Sequence, residues 1–108
     1  MTELTNLTPH PIVVLGDTPC TIPPSGTEAR VVEYTCDNDE IIEGVHLVTK
    51  HLDYIEGLPD ERTEKEGYYI VSRIVALSAM RQDLLVPDDF VRDENGNILG
   101  CKQLASLS

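Results

Sequence analysis

Between Tyr68 and Leu104 the pattern of the chain changes twice, and each change limits the fold. Tyr68-Tyr-Ile-Val71 reads as a buried strand. Ile74 to Arg81 then suits a short helix, with Ile74, Leu77 and Ala79 or Met80 facing inward. Leu84-Leu-Val86 returns to extended chain and is stopped by Pro87. Asp89–Arg92 and Asn97–Lys102 pair as a hairpin across Asp93-Glu-Asn-Gly96, with Arg92 and Lys102 able to face each other. One short helix within a series of short strands points to a mostly β fold.

The punctuation upstream agrees. Pro9 and Pro11 restrict the backbone around His10. Ile12–Leu15 is a short apolar strand ended by Gly16-Asp17, with Thr18–Ile22 as its hairpin partner. Pro23-Pro-Ser-Gly26 makes a turn, and Ala29–Tyr34 alternates as a third strand. Asp37–Glu43 reads as an acidic loop. Val45–Ile55 has the β-branched content of a strand, with helix as the alternative. Gly57–Gly67 is a polar connector without a core stripe. The expected architecture is α+β, mostly β: a compact antiparallel sheet or partly closed barrel with one short helix, in a single domain of 108 residues.

Charge limits the partners. The formal net charge is −11, and residues 33–66 hold eleven of the nineteen acids against three bases. Counterion release needs a basic surface, so broad nucleic-acid binding is not expected. The acidic middle reads either as a solvated surface or as a docking surface for a basic partner. No run reaches the roughly 18–20 apolar residues of a membrane-spanning helix. Met1-Thr-Glu-Leu-Thr has neither the basic region nor the apolar core of a signal peptide. Three cysteines without a secretory signal point to reduced thiols and a cytoplasmic setting.

A few polar residues can carry chemistry. His10, between two prolines, can hold its imidazole in a fixed direction toward an anion, or bond a nearby carbonyl. Ser25-Gly26 can present backbone N–H groups to an anion, or simply complete the turn. Ser72 and Arg73 open the helix, where hydroxyl and N–H groups suit a phosphate; Ser72 is equally suited to capping. Arg81 can complement the helix C-terminus or direct its fork at a phosphate. No nucleophile elbow, CxxC, HExxH or close His/Cys cluster is present, so no catalytic residue, metal or cofactor is assigned. Cys101 lies in an apolar strand and reads as a small core residue.

Asn6-Leu-Thr-Pro-His10-Pro-Ile, Ile22-Pro-Pro-Ser-Gly26, Tyr69-Ile-Val-Ser72, Pro87, Val91-Arg-Asp-Glu-Asn-Gly96 and Gly100-Cys101 together resemble a family of small phage, prophage and actinobacterial proteins. The resemblance spans most of the chain outside the acidic middle and the connector before Tyr68. It implies a counter-defence setting, in which small homo-oligomeric proteins bind a nucleotide-derived immune signal, of cyclic ADP-ribose or cyclic oligonucleotide type, without cleaving it. Under that expectation His10, Ser25, Ser72, Arg73 and Arg81 are the ligand-binding candidates. The rival expectations are an acidic mimic that blocks a host defence protein, a small nucleotide-processing enzyme, and a virion component.

Overall fold

The computed structural model describes residues 3–108. Its elements are β1 (Glu3–Asn6), β2 (Ile12–Val14), β3 (Cys20–Ile22), β4 (Arg30–Ile42), β5 (Val45–Glu56), β6 (Gly67–Ile70), α1 (Arg73–Ala79), β7 (Leu84–Arg92) and β8 (Ile98–Ala105). Six strands form a sheet in the order β1-β6-β7-β8-β2-β3. A parallel bridge between Asn6 and Pro24 brings the two edges together, so the sheet is nearly closed into a barrel. The mostly β barrel with one helix is as expected. The sheet is mixed rather than antiparallel: β1–β6, β6–β7 and β2–β8 are parallel pairs.

Two layers of apolar packing hold this barrel. Ile12, Ile70 and Cys101 form one cluster, filled out by Val14, Ile22 and Leu104. A larger cluster of Leu7, Tyr69, Val71, Val75, Leu84 and Val86, with Ala29 and Ala76, joins the other face of the sheet to α1. Alternation along β6 explains the division, since Ile70 points one way and Tyr69 and Val71 the other. Gly67 lets β1 approach β6 closely: at φ 128°, a Cβ there would sit 2.0 Å from the Glu3 carbonyl oxygen.

Several local expectations need correction. In α1, Val75 and Ala76 are buried and Ala79 packs against the larger cluster as expected, while Ile74, Leu77 and Met80 are exposed. The inward stripe is Val75, Ala76 and Ala79, so the face that meets the sheet starts one residue later than Ile74. Pro87 does not stop β7, which runs through it to Arg92. The Val71 N–H donates to the Leu85 carbonyl, so by alternation the Pro87 nitrogen faces the same side, where β6 has already ended. No ladder bond is lost there. Arg92 pairs with Ile98 rather than facing Lys102, and its guanidinium donates to the Gly96 carbonyl at 2.8 Å. Leu58, in the supposedly polar connector, packs against the larger cluster.

The largest departure lies in the acidic middle. Asp37–Ile42 is not a loop but the outer half of β4, paired with β5 in a two-stranded arm. Val45–Glu56 is strand, the favoured reading. The arm turns at Glu43-Gly44, both at positive φ (51° and 81°), as a two-residue primed hairpin turn requires. Its base is anchored by Val31 and Ile55 against the larger cluster and by the Arg30–Glu56 ion pair. Beyond that it projects, and the radius of gyration is 17.0 Å against about 13 Å for a compact chain of this length.

Candidate functional site

Register fixes which candidates share an end of the barrel. Asn6 pairs with Ile70 in the parallel β1–β6 ladder, so the segments after both strands emerge on the same side. Ile22 pairs with Ile12, and Pro24 bridges Asn6, which brings the turn after β3 to that side as well. His10, Ser25, Ser72 and Arg73 therefore lie at one end, here called the upper end. Arg81 does not. It precedes β7, and Leu84 is paired with Tyr69 near the start of the sheet, so Arg81 belongs to the opposite, lower end.

Asn6 organises the upper end. Its buried amide donates to the His10 carbonyl at 2.8 Å and the Ile22 carbonyl at 3.0 Å. Its Oδ1 accepts from the Thr8 N–H at 2.9 Å and lies 2.6 Å from the Thr8 hydroxyl. Its own carbonyl accepts from the Ser25 N–H at 3.0 Å. One side chain thus ties the His10 loop to the Ser25 turn. Sequence reasoning missed this role, although Asn two residues before Thr is an Asx-turn signal.

The candidate residues sit around this hub as follows. His10 is exposed, and its ring makes no hydrogen bond to a described residue; its carbonyl, not its imidazole, is held. Ser25 forms a local turn with Thr27, and its N–H is taken by Asn6, so it does not contribute to an anion nest. Ser72 occupies the N-cap position in extended conformation, yet its hydroxyl makes no capping bond. Arg73 is exposed and makes no ion pair among the described residues. A cavity of about 220 Å³ beside His10 and Ser25 is lined by Thr8, Pro9, Pro24, Gly26, Thr27 and Glu28.

The lower end is occupied by its own network. Asp83 is buried and accepts two bonds from Arg81, one from Nε at 2.9 Å, and a third from the Arg62 N–H at 3.0 Å. Arg81 also donates to the Pro59 carbonyl at 2.9 Å. Arg62 lies over the Tyr69 ring at 4.0 Å and donates to the Tyr68 carbonyl at 3.2 Å. Burial alone would raise the Asp83 pKa, but the bonds from Arg81 and Arg62 outweigh it and hold the carboxyl below its ordinary value. The Asp83 bond in turn keeps Arg81 firmly protonated. These contacts seat the connector after the arm against the start of β7. Arg62 was not singled out, because nothing in Glu61-Arg-Thr-Glu64 distinguishes it from a solvated charge.

The three cysteines are free thiols; Cys20 and Cys36 are exposed, and Cys101 is buried as expected. No group of His, Cys, Asp and Glu among the described residues is arranged to hold a metal ion. No helix of the described residues is long and apolar enough to cross a membrane. The comparisons with protein-family models, curated proteins and solved structures found no match to this chain.

Proposed function

We propose that this chain is a binding protein that sequesters a small anionic, nucleotide-derived ligand at the upper end of its barrel without cleaving it, in the counter-defence setting its sequence resemblance implies. The observation that carries the reading is that His10, Ser72 and Arg73 emerge at one end of the barrel through the β1–β6 register, with the His10 loop tied down by Asn6. An exposed guanidinium, an uncommitted hydroxyl and an exposed imidazole suit phosphate oxygens. The lower end suits them less, because its cations are already engaged: Arg81 by Asp83, and Arg62 by the Tyr68 carbonyl and the Tyr69 ring. Arg81, held by Asp83 at the lower end, takes no part in this proposal, and Arg73 takes the phosphate.

The test is capture and release. The protein is incubated with cyclic ADP-ribose isomers and cyclic oligonucleotides and filtered, and the retained protein is then heat-denatured. A ligand depleted from the filtrate and released intact supports sequestration. A released product would make the protein an enzyme, and no depletion would end the proposal. Arg73→Ala should weaken capture while leaving thermal unfolding unchanged.

A second reading, in which the chain docks on a basic host protein, is favoured by one observation. The acids of Asp37–Glu43 lie on a projecting paired arm rather than in a loop. It predicts salt-sensitive binding that is lost when Asp37, Asp39 and Glu40 are neutralised.

A further inference from the structure

Beyond its base no described residue outside the arm covers it, and its register sorts the side chains into two faces that differ in charge. Paired residues in an antiparallel ladder share a face, and successive residues alternate. One face carries Glu33, Thr35, Asp37 and Ile41 opposite Leu52, Lys50, Val48 and His46, with Ile41 and Leu52 more than half exposed. The Asp37–His46 contact at 2.9 Å lies on that same face. The other carries Tyr34 opposite His51, Cys36 opposite Thr49, Glu40 opposite Leu47 and Ile42 opposite Val45. Tyr34, Ile42 and Val45 are each more than half exposed there. Tyr34 and His51 stack with centroids 5.0 Å apart, which stiffens the middle of this face.

We infer that this second face is a dimer interface, and that its occupant is the same face of a second copy of the chain. Charge is the first argument. Among the paired rungs from Tyr34 to Ile42, Glu40 is the single carboxylate on this face, while Glu33 and Asp37 point the other way and Asp39, Glu43 and Asp53 lie outside the paired rungs. Two such faces can meet without burying like charges. A two-fold axis through the Cys36–Thr49 rung would set Glu40 of each copy over the Tyr34–His51 pair of the other, so the one carboxylate meets an imidazole. The second argument is closure. A two-stranded hairpin is marginal in water, whereas two arms packed face to face make a four-stranded sandwich with a covered interior. The third is the state of the edges: bulges interrupt the ladder at Val31/Glu33 and Asp37/Glu40, which disfavours edge-to-edge extension as the alternative.

The size of the face sets the strength. Twelve residues span about 40 Å and two strands about 10 Å, so each copy covers a few hundred Å² in projection. That is below the roughly 800 Å² per partner of a standard interface, so the dimer is weak and reversible. The inference requires no ligand, so its outcome and that of nucleotide capture are separate.

Sedimentation equilibrium over a concentration series tests it. The chain should pass from monomer to dimer, and Tyr34→Glu or Val45→Asp should weaken the dimer by about tenfold or more. Leu52→Asp, equally exposed on the opposite face, should leave it unchanged. Mild oxidation of the Cys20→Ser variant should yield a covalent dimer through Cys36, a readout that leaves the face itself intact. A monomer at every concentration would overturn the inference, as would equal disruption by Leu52→Asp or the absence of a Cys36 cross-link. A monomeric chain whose arm instead binds polylysine in a salt-sensitive way would assign the arm to a cationic partner.

Discussion

In the barrel, each strand has neighbours in the sheet and most also lie under a helix or a packed side chain; in the arm, two strands of 13 and 12 residues have only each other beyond a base held by Val31 and Ile55. The ladders obey the same geometry. What differs is what lies on either side of them. Ile70 and Val71 are wholly buried, one on each face of β6, while Ile41 and Val45 at the arm's end stand in solvent. Stability should therefore be concentrated in the barrel, and the arm should respond to its neighbours rather than to its own substitutions.

The sharpest contrast is a pair of leucine truncations. Leu84→Ala should cost about 2–5 kcal/mol, because Leu84 is fully buried between the sheet and α1. Leu52→Ala should stay within about 0.5 kcal/mol, because half of its surface is already in water. Chemical denaturation of the two variants measures both, and similar losses would break the comparison.

Next in size is the lower network. Asp83→Ala leaves Arg81, a largely covered guanidinium, without its carboxylate, and should cost about 3 kcal/mol. The Asp83 pKa is lower in the folded chain than the ordinary carboxylate value of about 4. The stability it contributes is therefore present above that value and lost as pH falls through the lower folded one. Asp83→Asn should remove this part of the acid limb in a series of thermal melts. An acid limb of unchanged slope would assign the loss to other carboxylates.

The smallest effect belongs to the arm alone. Glu43 holds positive φ at the first position of the turn, where Asn is better suited. Glu43→Asn should strengthen the arm by about 0.5 kcal/mol, seen as slower amide exchange at its outer rungs with the global melting temperature unmoved. A shift in global melting would mean that arm and barrel unfold as one unit.

How much of this was legible in the sequence depends on where each residue's constraint originates. Local patterns were sufficient for β2, β3, β6 and the hairpin of β7 and β8, where apolar runs meet clear turn residues. The outer half of β4 was illegible for a physical reason: Asp and Asn disfavour strands, and Asp37–Glu40 pairs only because Leu47 and Val48 lie opposite. Asn38 and Asp39 are accommodated as a bulge, with Asp39 at φ 55°. At the candidate site, chemistry identified the residue types, but the division into upper and lower ends came from the register of parallel strands distant in sequence. Nothing within Ser72–Asp83 says that Arg73 and Arg81 serve opposite ends.

The pairing of Glu3 with Gly67, and of Val14 with Cys101, has a consequence for the order of assembly. During synthesis β1 emerges without β6 and the β2–β3 hairpin without β8, and the sheet cannot close until β8 has been made. The arm needs only its own turn to begin pairing, so it can zip on a microsecond timescale while the barrel waits on slow long-range closure. Over that interval the nascent hairpin forms and opens repeatedly, and if the arm is a dimer interface as proposed, two chains made side by side would meet through it before either has a core.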